Sequence, residues 1–193
     1  MGFNPREVAK AGRKVYERHR ADFERRYPGK YVLIDIRTEK VFLAESPEAA
    51  YRQASAAHEE GPFHLVRVGE RAAFRSRRLP NGDATRSLDS SHSPVVTIAV
   101  SAPAGPSTFF DAVIDTGFTG FVQLPESRAQ ELGLTPRTTS ETQYPDGRID
   151  TIPLAWARVT LGAEVQEGFV HIQRGSDEAI ELWSSQSLRA QSF

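Results

Sequence analysis

The first seventy residues alternate between helical and strand-like patterns of hydrophobic positions. A cap at Asn4 and a stop at Pro28 bound the first helical pattern. Two strand-like runs, KYVLIDIRT and VFLAE, then meet at a turn around Glu39. A second helical pattern, SPEAAYRQASAAHEEG, leads into the strand-like run FHLVRV. This order predicts a small α+β domain over residues 1–70.

The pattern changes after this segment. Residues 71–93 are rich in arginine and serine and predict a linker with room for one short strand. Residues 94–193 are predicted to be almost wholly β, with the strand-like runs PVVTIAVS, TFFDAVID, GFVQL, TTSETQY, RIDTIPLAWARVTLG and EVQEGFVHIQ. PESRAQELGL predicts one short helix among them, and SDEAIELWSSQSLRAQSF predicts a terminal helix capped by Ser176. Many short strands with few helices favour a small closed barrel or a sandwich.

Composition narrows the classes of function. The chain has 193 residues, and the 39% that are hydrophobic can supply a core. Basic and acidic residues number 24 and 25, so no global field attracts nucleic acid or a membrane surface. Cysteine is absent, which excludes disulfides, thiolate metal sites and cysteine nucleophiles. With no signal-peptide or membrane-span pattern, we expect a cytoplasmic protein that binds neither nucleic acid nor a membrane.

An aspartate at the end of an apolar run is the main candidate for chemistry. In FDAVIDTGFTGFVQLP, residues 110–125, Asp115 directly follows Ile114 and precedes Thr116 and Gly117. An isolated buried carboxylate is driven toward its neutral form, whereas two facing carboxylates share one proton. Such a pair can activate water with its ionised member and polarise an amide carbonyl with its protonated member. Glycine at 117 lets the backbone turn tightly beside the carboxylate.

The segment VIDTGFTGFVQLP resembles the active-site segment of retropepsin-like aspartic proteases, particularly a small bacterial and archaeal group. The resemblance extends over about residues 94–172, because the order of helix, strand, turn and long strand is also similar. It implies a closed barrel of the acid protease type, a peptide or protein substrate and no metal or other cofactor. The first seventy residues resemble a small accessory domain that is sometimes fused ahead of such proteases.

The resemblance also implies roles for particular residues. Asp115 would be the catalytic aspartate, Thr116 would grip the partner chain and Gly117 would shape the loop. A flap closing over substrate would be formed by the turn residues Tyr144, Pro145, Asp146 and Gly147. Ile180 and Leu182 would form an apolar pair near the end of the domain.

The catalytic pair requires a second aspartate. The chain contains a single Asp-Thr-Gly, and Asp111 lies roughly 13 Å from Asp115 at ordinary strand rise. The second Asp115 must therefore come from a second chain, which makes the predicted enzyme a symmetric homodimer. A shared proton further predicts activity that favours mildly acidic pH.

Other interpretations belong to different classes. Asp115 could be an ordinary turn aspartate, the Tyr144–Gly147 turn an ordinary hairpin, and the whole domain an inactive binding or dimerisation module. The run HEEGPFH lacks the spacing of a helical zinc motif, and the remaining histidines, His19, His92 and His171, are expected at the surface or in the linker. The charges of the first helical pattern predict a solvated face with helical ion pairs, and a nucleic-acid contact is the alternative.

Overall fold

A computed structural model of the chain describes residues 3–75, 95–114, 119–173 and 180–182. Within these residues the chain forms three helices, namely α1 (Pro5–Arg26), α2 (Pro47–Ala56) and α3 (Glu126–Glu131). The strands of the first half are β1 (Tyr31–Asp35), β2 (Val41–Ala44), β3 (Phe63–Arg67), β4 (Phe74–Arg75) and β5 (Val95–Ser101). The second half adds β6 (Thr108–Ile114), β7 (Val122–Pro125), β8 (Thr138–Gln143), β9 (Ile149–Leu161), β10 (Glu164–Gln173) and β11 (Ile180–Leu182).

The amino-terminal elements form where the local signals predicted them. The Asn4 side chain accepts a hydrogen bond from the backbone N–H of Arg6 at 3.2 Å and caps α1. Ser46 caps α2 in the same way, through the N–H of Ala49 at 3.1 Å. The predicted ion pairs on the solvent face of α1 are confirmed by Arg20, which lies 2.7 Å from Glu24.

One mixed sheet contains all the strands, in the order β10-β7-β11-β6-β5-β9-β8-β3-β1-β2, with β4 added beside β8. β10 pairs with both β7 and β9. The long strand β9 therefore has three strand neighbours, namely β10, β5 and β8. The predicted mainly β class with an α+β part is confirmed. The sheet as a whole is not a small closed barrel, because β3, β1 and β2 continue it beyond β8.

The first seventy residues join this sheet through β3. Phe63, His64 and Leu65 pair in parallel with Thr138, Thr139 and Ser140 of β8. The two predicted segments therefore share backbone hydrogen bonds as well as side-chain contacts. The division into residues 1–70, a 71–93 linker and residues 94–193 stays a prediction, and most of that linker, from residue 76, lies outside the described residues.

The helices cover the sheet and bury its apolar side chains. One group of buried residues lies among β5, β6, β7, β9 and β10 with α3, and it includes Ile98, Val122, Leu124, Leu132 and Ile172. A second group joins α2 to β3 and β9, and it includes Leu33, Phe63, Leu65, Leu154 and Phe169. Each fully buried side chain of this size contributes about 1.5–3 kcal/mol to folding. Among the described residues, no helix combines the length and apolar character needed to cross a membrane.

The carboxy-terminal helix prediction is wrong at residues 180–182. These residues form β11, which pairs in parallel with β6 (Ile180 with Ala112) and antiparallel with β7 (Leu182 with Val122). The spacing of Ile180 and Leu182 also fits a strand, and two available strand edges decide in favour of it. The predicted cap, Ser176, lies outside the described residues.

Candidate functional site

The predicted catalytic residues Asp115, Thr116 and Gly117 lie outside the described residues, but both chain ends that lead to them are described. β6 delivers the chain to Ile114, and β7 receives it at Val122. β11 is hydrogen-bonded between these two strands at their motif-proximal ends, where Leu182 pairs with both Ile114 and Val122. Three adjacent strands thus fix the two ends of the segment that carries Asp115.

Thr119, four residues after Asp115, is bound to the short strand β4. The backbone N–H of Arg75 donates to the Thr119 hydroxyl oxygen at 2.8 Å. In return, the backbone N–H of Thr119 donates to the Arg75 carbonyl at 3.0 Å. These two bonds attach the segment that follows the Asp-Thr-Gly motif to a strand that lies outside the predicted protease domain.

Phe121 anchors the same segment on β10. Its ring lies where a Cβ at Gly168 would be, since a side chain added there would come within 2.7 Å of the ring. Glycine at position 168 therefore allows the aromatic ring to pack directly on the backbone of β10. β10, which carries Gly168, also pairs with β7, the strand that follows this segment.

A cavity of about 1080 Å³ lies beside this segment. Its lining includes Thr119, Gly120 and Phe121 from the loop and Phe169 from β10, together with residues of β1, β3 and the start of α2. The apolar part includes Val165, whose side chain is largely exposed. The cavity is therefore bordered by the motif-proximal loop on one side and by the first seventy residues on the other.

Some of the charged residues that line the cavity have partners. Arg158 lies 2.9 Å from Glu167. The Arg67 guanidinium lies over the Tyr31 ring, 5.6 Å from its centroid, and donates to the Gly29 carbonyl at 3.3 Å. The lining also includes Arg52 and Glu48, so the cavity offers charged as well as apolar groups to a ligand.

The predicted flap residues form the tip of the hairpin between β8 and β9. The N–H of Gly147 donates to the Tyr144 carbonyl at 2.9 Å, and the N–H of Tyr144 donates to the Arg148 carbonyl at 2.9 Å. Gly147 has φ +83°, a conformation that favours glycine after a turn with Pro145. Tyr144 is buried, whereas Pro145 and Asp146 are exposed. The hairpin is confirmed, and its role as a flap stays a prediction.

A buried polar group supports the strand that leads to this hairpin. Glu141 of β8 accepts a hydrogen bond from Arg13 of α1 at 3.0 Å, and its other oxygen lies 3.5 Å from His64 Nε2. His64 Nδ1 lies 3.1 Å from the Thr139 hydroxyl. Burial, with a smaller effect of Arg13, lowers the pKa of His64 to about 3, and burial raises the pKa of Glu141. His64 is therefore neutral at ordinary pH, so its Nε2 lies near the Glu141 carboxyl group without forming an ion pair or a hydrogen bond with it.

Two of the histidines, His64 and His171, are buried within the sheet. His64 is fully buried on β3, and Glu59 of the HEEGPFH run instead contacts Lys40 and Arg37 at the β1–β2 turn. The prediction that His171 lies at the surface or in the linker is wrong, because β10 places it between β7 and β9, where it is 1% exposed. In the part of the chain that is described, no group of three or more histidine or acidic side chains is arranged to hold a metal ion.

Sequence reasoning missed Arg75 and Thr119 as partners. Arg75 belongs to a segment predicted as linker, and the resemblance assigns no role to Thr119 in the motif segment. The signal that was available is the run AAF at residues 72–74, which is too apolar for a solvated linker. The side chains of Ala72, Ala73 and Phe74 are all buried.

Comparisons with known proteins identify no relative. No family model matches the chain. Searches of curated proteins and of solved structures also gave no match. The family resemblance therefore rests on the residues of the motif and on the order of the elements around it.

Proposed function

We propose that the protein is an aspartic endopeptidase whose catalytic pair is formed by Asp115 from each of two chains. The observation that carries the proposal is the position of the Asp-Thr-Gly segment between β6 and β7, with β11 paired to both strands beside it. A segment whose two ends are fixed by three strands is a suitable support for a carboxylate that must be held in one geometry. The retropepsin-like type of the domain is part of this proposal.

The chemistry requires one ionised and one protonated carboxyl group. The ionised Asp115 takes a proton from water, which attacks the carbonyl carbon of the substrate amide. The protonated Asp115 of the second chain polarises that carbonyl and then protonates the leaving nitrogen. Water is consumed, a new carboxyl group and a new amine are released, and the pair regains its shared proton.

The surroundings of the motif support a peptide as the substrate. The cavity beside Thr119 and Phe121 has room for several side chains and offers both apolar and charged surface. The hairpin tip at residues 144–147 is connected to the segment that follows Asp115 through β4. This strand pairs with β8, which leads into the tip, and it is also hydrogen-bonded to Thr119. A peptide lying along the motif-proximal segment would thus have strand edges and apolar surface within reach.

The direct test compares the wild-type protein with Asp115→Asn on a diverse peptide library between pH 3 and pH 8. Asparagine preserves the shape of the side chain and removes its proton transfer, so we expect a loss of cleavage of at least about a hundredfold. Mass spectrometry of the products gives the rate and the cut sites.

Asp111→Asn is the matched control. It makes the same substitution four residues earlier, at an exposed side chain that accepts a hydrogen bond from Thr97 at 2.9 Å. We expect it to cleave as the wild-type protein does. Equal cleavage by the Asp115→Asn protein would contradict the proposal, and so would sedimentation of an active protein as a strict monomer, because one chain supplies a single Asp115.

A further inference from the structure

The strand β4 has bonding partners on both of its edges. On one edge, the backbone N–H of Ala73 donates to the Glu141 carbonyl of β8 at 3.1 Å, and Phe74 and Arg75 are in register with Thr142 and Gln143. On the other edge, the Arg75 N–H donates to the Thr119 hydroxyl oxygen and the Arg75 carbonyl accepts from the Thr119 N–H. The short segment from Ala73 to Arg75 is therefore held between the hairpin strand and the segment that follows Asp115.

The direction of β4 is the second observation. It runs parallel to β8, so the chain passes Arg75 in the direction in which β8 passes Gln143 into the turn at residues 144–147. Thr119 is four residues from Asp115, which limits the distance between them to about 14 Å. A chain that continues beyond Arg75 needs about four residues to span the whole of that distance. Chain length alone therefore permits a peptide bond within about four residues after Arg75 to meet the proposed catalytic aspartate.

We propose that Ala72–Arg75 takes the position of an extended peptide substrate, so that the protein's own chain occupies part of the proposed cleft. This inference rests on the proposed endopeptidase function. It is an intramolecular form of strand addition, in which backbone hydrogen bonds hold the peptide and alternate side chains enter pockets. The occupying segment competes with other peptides for the same strand edges.

The side chains of this segment define the substrate class. Ala73 and Phe74 are each 4% exposed, and the Phe74 ring packs edge-to-face on His171 with centroids 4.4 Å apart. The Arg75 side chain is exposed and contacts Glu70 at 3.3 Å. The preferred substrate is therefore an extended peptide with a small residue followed by an aromatic residue, and the next side chain is unrestricted because it points to solvent.

The first experiment weakens the occupying strand without changing the loop that holds it. Arg75→Pro removes the N–H that donates to Thr119, whereas Arg75→Ala removes the side chain and keeps both backbone bonds. We expect Arg75→Pro to cleave the peptide library about tenfold faster than either the wild type or Arg75→Ala, the equivalent of one hydrogen bond. Thermal melting verifies that each variant folds.

The second experiment tests the substrate class on the wild-type protein and on Asp115→Asn. The probe is the synthetic peptide AAFRSRRL, which corresponds to residues 72–79, and its control has serine in place of Phe74. We expect cleavage of the first peptide at least about tenfold faster than that of the control, and no cleavage by Asp115→Asn. This pair decides the question if Arg75→Pro does not fold.

The outcomes separate the two proposals. Equal library cleavage by the wild type and both folded Arg75 variants overturns the occupying strand and leaves the endopeptidase in place. The same holds if the library is cut but AAFRSRRL is cut no faster than its serine control. If no peptide is cut by any of the folded proteins, Arg75→Pro included, the endopeptidase itself fails and the inference falls with it. Cleavage by Arg75→Pro together with a silent wild type supports both.

Discussion

At the scale of single residues, the contact between α1 and the sheet depends on Gly12. A Cβ at this position would lie 2.2 Å from the Cβ of His64. This is too short for two carbon atoms that are not bonded, so α1 and β3 would have to move apart. His64 cannot yield easily, because it is fully buried and bonded to Thr139. The close approach of helix and strand therefore requires the absence of a side chain at residue 12.

Gly12→Ala is accordingly expected to destabilise the protein, although the same change in an exposed helix interior is stabilising. Overpacking at this contact should lower the free energy of unfolding by about 1–3 kcal/mol. Denaturant titration followed by circular dichroism measures the change. Lys14→Ala, on the exposed face of the same helix, is the control and should change stability by less than about 0.5 kcal/mol. A stabilised Gly12→Ala protein would disprove the close approach.

At the scale of elements, α2 is fixed to the sheet by an aromatic group. The Tyr51 ring stacks on Trp156 of β9 at 4.4 Å and meets Phe169 of β10 edge-on at 5.2 Å. It also meets Phe63 of β3 at 6.1 Å. One side chain of the helix thus contacts strands from both halves of the chain.

We expect Tyr51→Ala to lower the free energy of unfolding by about 3 kcal/mol, since a large aromatic ring leaves a packed group. Urea unfolding monitored by tryptophan fluorescence is a suitable measurement because Trp156 is a direct partner. Gln53→Ala, two residues later on the exposed side of α2, should be nearly neutral. If both variants had the same midpoint, the aromatic group would not be what fixes α2.

The elements show which structural features local sequence determines. The caps at Asn4 and Ser46 and the stop near Pro28 act within a few residues, so α1 and α2 were predictable. The strand β11 was not, because its two apolar residues fit either a helix or a strand until β6 and β7 offer their edges. The sequence allowed one short strand in residues 71–93, but the partners of β4, Glu141 and Thr119, were not predictable because they lie far away in sequence.

At the scale of the whole molecule, two buried histidines oppose folding in acid. Burial lowers the pKa of both His64 and His171 to about 3, compared with 6.5 in an exposed chain. Between these values the unfolded chain binds protons that the folded protein does not, so stability falls as pH falls. Glu141 acts in the opposite sense, because burial raises its pKa and the folded state then holds the proton more tightly.

We therefore expect the free energy of unfolding to decrease from pH 7 toward pH 4, with two histidine protons outweighing the one at Glu141. Urea titrations at intervals across this range measure the slope. In His64→Asn, one of the two titrating groups is absent, so the slope should be shallower even though the variant is less stable at pH 7. Constant stability across the range would contradict the buried neutral histidines. If stability falls as expected, unfolding sets the lower pH limit of the mildly acidic activity proposed for the catalytic pair.

The sequence by itself determined the helices and most strands, the mainly β class and the one segment with the composition of a catalytic site. These features depend on local caps, turn residues and the periodicity of apolar positions, which act over a few residues. The tertiary structure alone decided that β3 pairs with β8, that β11 lies between β6 and β7, and that Arg75 binds Thr119. These pairings join residues far apart in the chain. Backbone groups are the same at almost every residue, so the hydrogen bonds between strands leave no pattern in the sequence that identifies the partner strand.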